Sequence, residues 1–253
     1  MNTSAENDGF RILHTLPKIL ALVIALGATL GVAQPNDSLT IKWNGYVDTY
    51  FMFDFNQLPN NVASHPFTQP RRHNEFNINL AHIEVDINSA DIRGVLALHC
   101  GTAVQGNYAA EAAVYSLAPL IHQAWAGYRV ASNLWIDAGV YPAPYGFESW
   151  ISRDNKTYTR SIVADYSPYY QTGIRATWTP SELITVGVNV INGWQNMAET
   201  NNDKALGLTL GYTPSGTISF TYNNFIGNEM PTGTPAATRF YNNLCTRLTI
   251  SNA

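Results

Sequence analysis

The sequence predicts an all-β protein, an antiparallel transmembrane up-and-down β-barrel of about ten strands, and three observations carry that reading. Apolar and polar residues alternate with period two through nearly every segment after Gln34. Short turns and long polar loops alternate along the chain without exception. Hydrophobic residues make up 45% of the chain and charged residues only 13%, about half the usual share of a soluble globular protein.

Composition excludes other classes. A formal net charge of −4 leaves no electrostatic footprint for nucleic acid. Abundant Tyr, Trp and Phe with little charge argue against disorder, and the body of the chain holds no apolar run long enough for a membrane-spanning helix. The N-terminus reads differently. Arg11 and Lys18 precede the apolar run Ile19 to Leu26, and Gly31-Val32-Ala33 offers small residues for cleavage before Gln34. Residues 1–33 are therefore expected to be a secretory signal peptide, and residues 34–253 the barrel domain. Cys100 and Cys245 lie far apart in strand-like runs and are read as unpaired small apolar side chains.

The expected strands are Ile41 to Asn56, Phe76 to Ile87, Ile92 to Thr102, Ile121 to Val130, Leu134 to Tyr141, Tyr170 to Trp178, Leu183 to Asn192, Lys204 to Tyr212, Thr217 to Phe225, and Phe240 to Ile250. Several match the nine to eleven residues that a tilted strand needs to cross a bilayer. Folding about Asn88 to Asp91 sets Ile83 opposite Leu96 and Ala81 opposite Leu98, with Arg93 opposite Asp86 on the polar face. Folding about Ser132 pairs Val130 with Leu134, Tyr128 with Ile136 and Ala126 with Ala138. The Pro180 turn matches Trp178 with Ile184 and Ala176 with Val186. The Pro214 turn sets Leu210 against Phe220, Leu208 against Tyr222 and Thr209 against Thr221. Each hairpin has one apolar and one polar face, as a barrel turned inside out requires, although a sandwich with one buried face also permits it. In the second strand Phe76, Ile78 and Leu80 share parity with His82 and Glu84, so that strand needs a bulge or a stretch outside the bilayer.

The run Leu134 to Glu148, with Asn155 to Ser161, Tyr170 to Arg175 and Asn192-Gly193-Trp194, resembles the OmpL-like β-barrel porins. The opening Trp43-Asn44-Gly45-Tyr46-Val47-Asp48 also suits that family. The resemblance implies an outer-membrane barrel with pore activity. Barrels of this kind usually close on a strand ending in an aromatic residue, whereas this sequence ends Leu248 to Ala253. A chain that stops before its closing strands is therefore expected, with a small complete barrel of ten strands, an even number, as the alternative.

Candidate site residues fall in two groups. The third outer loop, Pro142 to Tyr169, concentrates Glu148, Arg153, Asp154, Lys156, Arg160 and Asp165 among aromatics. It is expected either to fold into the lumen as a constriction, with these residues as its candidates, or to stand as a solvated outer loop held by its own salt bridges. Asp48, Asp54, Glu84, Asp86, Arg93, Arg129, Asp137 and Arg175 are the candidate lumen wall, able to line a pore or to brace it by cross-strand pairing. His82 and His99 are diagonal neighbours on one face, while His122 shares parity with the outward Ala124 and Ala126, so no metal site is expected. Trp43, Tyr128, Trp135, Trp178 and Tyr212 would form one interfacial belt, with Tyr50, Phe51, Phe53 and Tyr222 further up the strands. G-x-S-x-G, P-loop, Rossmann and H-E-x-x-H patterns are missing, and neither an enzyme nor a cofactor is expected.

The expected function is a porin through which small hydrophilic solutes or ions diffuse, exported to the outer membrane. Its partners would be membrane lipid, the barrel-assembly machinery and the solutes, with a homo-oligomer left open. An outer-membrane adhesin or structural barrel, or a secreted carbohydrate-binding β-sandwich, is the alternative.

Overall fold

A computed structural model describes residues 38–56, 59–63, 69–111 and 118–250. The segment expected as signal peptide lies outside these residues. The ten expected strands are all present: β1 (Thr40–Phe51), β2 (Phe76–Asn88), β3 (Ile92–Cys100), β4 (Ile121–Ala131), β5 (Leu134–Pro142), β6 (Tyr170–Ser181), β7 (Ile184–Ile191), β8 (Ala205–Ser215), β9 (Ile218–Asn228) and β10 (Thr238–Leu248). Each pairs antiparallel with its neighbour in sequence, in one continuous sheet ordered β1 to β10. One sheet replaces the two stacked sheets that a sandwich would need. Among the described residues no ladder joins β10 to β1. Short helical turns punctuate the long loops, α1 (Thr102–Asn107) and α2 (Ile162–Asp165) among them. No helix among the described residues is long and apolar enough to cross a membrane.

The two faces invert the soluble arrangement. Large hydrophobic side chains stand bare on one face, Trp43 at 69% exposure and Ile83, Leu98, Ile174, Leu206 and Phe240 among the others. Asp48, Asp137, Gln171, Asn189 and Asn223 are buried on the opposite face. A soluble sheet buries its apolar side; a lipid-facing one does the reverse. Among the expected belt aromatics, Trp43, Tyr128, Trp178 and Tyr212 are exposed on the apolar face. Trp135 is not, because it shares parity with Asp137 and lies inside beneath Arg93. Tyr50 also turns inward and bonds Thr102 at 3.1 Å.

Three hairpins reverse one residue later than the sequence reading placed them. Ile83 therefore faces Leu98, Ala81 faces Cys100, and Val85 faces Leu96. Trp178 faces Val186 and Ala176 faces Val188. Leu210 faces Tyr222, Leu208 faces Asn224 and Thr209 faces Asn223. Each partner shifts by two residues, the period of the pleat, so every side chain keeps its face. In the first of these the reversal closes at a Ser89 N–H to Ile92 carbonyl bond of 2.8 Å. In the other two the ladder runs on past Pro180 and Pro214 through a bulge that shifts the register, and ends with Ser181 opposite Ile184 and Ser215 opposite Ile218. The β4–β5 hairpin keeps Tyr128 against Ile136 and Ala126 against Ala138, but a bulge brings Ala131, not Val130, opposite Leu134.

The parity conflict in β2 ends in a bulge. The register shifts between Asp48 and Thr49, whose partners are Leu80 and Ile78, leaving Asn79 as the extra residue. Phe76 and Ile78 point out, and both Asn79 and Leu80 are buried. β1 stops at Phe51 because Asp54 accepts from the Asn56 amide at 2.9 Å and turns the chain. Asp54 is thus a loop residue, not part of the wall. Cys100 and Cys245 are free.

Gly139 adopts φ 131°, and a Cβ there would lie 2.2 Å from the Ala124 carbonyl oxygen. Gly139→Ala is expected to cost about 1–3 kcal/mol from backbone strain alone, with the contact adding to it. Urea unfolding of the detergent-refolded variant, followed by heat-modifiable mobility, measures the loss.

Candidate lumen site

Strand register assembles the centre of the polar face. Arg93 on β3, Gly127 on β4, Asp137 on β5 and Arg175 on β6 form one row across four strands. Gly127 has no side chain, so Arg93 reaches over β4 and grips Asp137 with two bonds, Nε to Oδ1 and a terminal nitrogen to Oδ2, both 2.8 Å. Arg175 donates to Oδ2 from the other side at 3.0 and 2.8 Å. A Cβ at position 127 would lie 2.1 Å from Asp137 Oδ1. Aromatic rings flank the cations: Arg93 lies over Trp135 at 4.4 Å, and Arg175 over Tyr141 at 4.6 Å. Asp137 is 0% exposed, so two charge-assisted grips replace its hydration. The expected Asp86–Arg93 pair does not form, because the later reversal moves Arg93 opposite Asn88. Asp86 instead accepts from Asn44 Nδ2 at 2.8 Å. Arg129 sits at the turn end of its strand, on Asp91 at 2.8 Å.

Towards the long loops, Glu84 accepts from Asn44 and Gln123 at 3.3 and 3.1 Å. His82 faces its cross-strand partner His99, and its Nε2 lies 2.8 Å from Nδ1 of His122. The expectation that His122 points outward with Ala124 is corrected. β4 has a bulge there, Ala97 pairing with Gln123 and Leu98 with Ile121, which turns His122 inside. Its sequence signal was a polar ring on an otherwise apolar parity, the same kind of conflict that marked β2.

The third outer loop lies across the polar face and reaches both edge strands. Tyr158 donates its hydroxyl to Asp48 on β1 at 3.0 and 3.1 Å, and Asn79 Nδ2 donates to the same carboxylate at 2.7 Å. At the other edge the Gly146 amide donates to Asn243 on β10 at 3.1 Å, and the Tyr145 hydroxyl donates to the Asn224 carbonyl on β9 at 3.3 Å. Burial raises the Tyr158 phenol, and the Asp48 charge raises it further. Burial also pushes Tyr145 up to about 12. Neither Tyr158 nor Asn79 was singled out from sequence.

The six charged candidates in this loop do two different things. Arg160 is packed between Trp150 (4.9 Å) and Tyr169 (4.6 Å), donates to the Trp150 carbonyl at 3.0 Å, and lies 3.9 Å from Asp165. Glu148 accepts from the Ser161 amide at 3.1 Å, fixing the start of α2. These three hold the loop's shape. Arg153, with a 62% exposed side chain, Asp154 and Lys156 face open space, Arg153 lying over Tyr46 at 5.4 Å.

A ten-strand antiparallel meander with an apolar outer face, a charged inner face and a loop folded across it is the construction of a porin-type β-barrel. The chain belongs to the family described as "Putative beta-barrel porin-2, OmpL-like", whose family model matches residues 40–253. Comparison with curated proteins found no match.

Asp137→Ala leaves two arginines facing each other with no anion. It should cost about 3–5 kcal/mol, the usual penalty for breaking a buried pair, read from urea unfolding in detergent. A second prediction concerns pH. In the first outer loop Arg72 grips Glu75 (2.9 Å) and holds its carboxyl near 2, with Asn77 assisting. A depressed folded pKa contributes stability above the unfolded value near 4.5, and that contribution is lost as pH falls towards 2. Carboxyl NMR titration of the folded protein should show Glu75 still ionised at pH 3.5 or thereabouts; a midpoint in the ordinary range (about 4.3) would show that the grip is absent.

Proposed function

We propose that this barrel is exported to the bacterial outer membrane by residues 1–33, inserted by the barrel-assembly machinery, and conducts small hydrophilic solutes and ions by passive diffusion. The observation that carries this reading is the third outer loop, folded across the polar face and tied to β1 and β10 by Tyr158–Asp48 and Gly146–Asn243. A loop held in the lumen narrows it without sealing the polar wall, and no covalent step is involved. Arg153, Asp154 and Lys156 border the remaining space and set ion preference there, together with Glu84 and Asp86 on the wall. Arg160, Asp165 and Glu148 act indirectly by keeping the loop in shape, and Arg93, Asp137 and Arg175 brace the wall.

Planar-bilayer conductance of the refolded chain from Gln34 onward tests the reading. Discrete current steps are expected. Arg153→Gln should leave step size similar and shift the cation-to-anion permeability ratio towards cations by about sixfold at most, since one charge roughly 8 Å from a passing ion is worth about 0.5 kcal/mol in water, with opposite sign for a cation and an anion. Tyr158→Phe should loosen the loop and give larger, noisier steps. Silence from well-folded protein would refute passive conduction.

A further inference from the structure

Half of the chain's six histidines, His82, His99 and His122, meet on the inner face of β2, β3 and β4. His122 reaches that face only through the β4 bulge, which interrupts the ladder to put an imidazole inside. His82 Nε2 lies 2.8 Å from His122 Nδ1 and 3.8 Å from Glu84 Oε2, and the three donor atoms all fall within 4.8 Å of one another. Ligands held about 2.0–2.1 Å from a tetrahedral zinc ion stand roughly 3.3 Å apart, so small side-chain rotations convert this cluster into a coordination shell.

The surroundings have the features of a supported site. Asn44 and Gln123 each donate to Glu84 and fix its carboxylate, as outer-shell partners of metal-binding carboxylates do. His99 stacks on His122 with ring centroids 5.1 Å apart and holds its plane. Glu84 and His122 also line a cavity of about 440 Å³, which leaves room for a further ligand. Two further charged groups bear on the cluster: Asp86 acts on Glu84 and favours a cation, and Arg153, its side chain 62% exposed on the third outer loop, acts on His82 and opposes one.

We propose that His82, Glu84 and His122 bind one divalent transition-metal ion of the zinc class, with a coordination position open to the cavity. Two imidazoles and one carboxylate suit zinc, copper or nickel far better than magnesium or calcium. On binding, the proton that one imidazole donates to the other across the 2.8 Å contact passes to the far nitrogen of its own ring or to solvent. The site does not depend on conduction, and it would bind metal in a closed or non-conducting barrel.

The test uses the full chain refolded in detergent and titrated with Co²⁺, then with Zn²⁺. One equivalent of Co²⁺ should develop the visible bands of a tetrahedral site, and equimolar Zn²⁺ should abolish them. Gln123→Ala should weaken binding about 10–100-fold, as loss of an outer-shell partner does elsewhere. His122→Ala and Glu84→Gln should lose the bands while keeping heat-modifiable mobility. Absence of bands in the unaltered chain, or bands that persist in both ligand variants, would overturn the proposal. Should the variants fail to fold, Cu²⁺ bound to the unaltered chain decides: its electron paramagnetic resonance spectrum must show splitting from two imidazole nitrogens, and a spectrum without it overturns the site.

Discussion

The structure depends on one constraint: each strand hydrogen-bonds only to its neighbours in sequence, and successive side chains alternate between two faces. Once β1 is placed, parity decides what meets lipid and what meets the lumen for every later strand. The residues that stand outside this rule sit at bulges, and two of the bulges away from the short turns have a consequence on the inner face. At Asn79 the extra residue places an amide beside Asp48, where the third outer loop is anchored. At His122 it completes the histidine cluster.

The row Arg93–Gly127–Asp137–Arg175 shows how the same register assembles a polar interior from residues spread over four strands. Two guanidiniums on one carboxylate carry a net positive charge, so the clamp both braces the wall and biases its potential. Gly127 is as necessary as the charges, because any side chain there would separate Arg93 from Asp137. The loop divides its labour in the same way. Its buried charges give it shape, and shape leaves Arg153, Asp154 and Lys156 exposed.

Strand existence, strand order and the sorting of turns from long loops were legible in the sequence, because period two and turn residues are local signals. Register was less so. Three hairpins slipped by two residues, since proline and short polar runs mark a turn without saying which residue reverses the chain. Faces survived that slip, but cross-strand pairs did not, and Asp86–Arg93 was lost to Arg93–Asp137. The β2 bulge was legible because apolar and charged residues collided on one parity. The His122 bulge left a weaker trace, a single histidine among alanines, and Trp135 was misread because its aromatic character outweighed its parity. Which loop charges would be buried was beyond local reading, since Arg160 owes its burial to Trp150 and Tyr169, which come together only when the loop folds.

The edges of the sheet set the remaining physical question of how wide the lumen is. The outer N–H and C=O groups of β1 and β10 have no ladder partner among the described residues, an arrangement that water tolerates and hydrocarbon does not, each unsatisfied group costing several kcal/mol there. The third outer loop contacts both edge strands, yet it does so from inside: Tyr158 and Gly146 engage the side chains of Asp48 and Asn243 and leave those backbone groups free to pair. In lipid the two edges must therefore be completed by strand pairing, while the loop limits how far apart β1 and β10 can stand. Barrel diameter grows with strand number, so the span of this one loop, from Tyr158 to Gly146, becomes the internal ruler against which any closing arrangement has to fit.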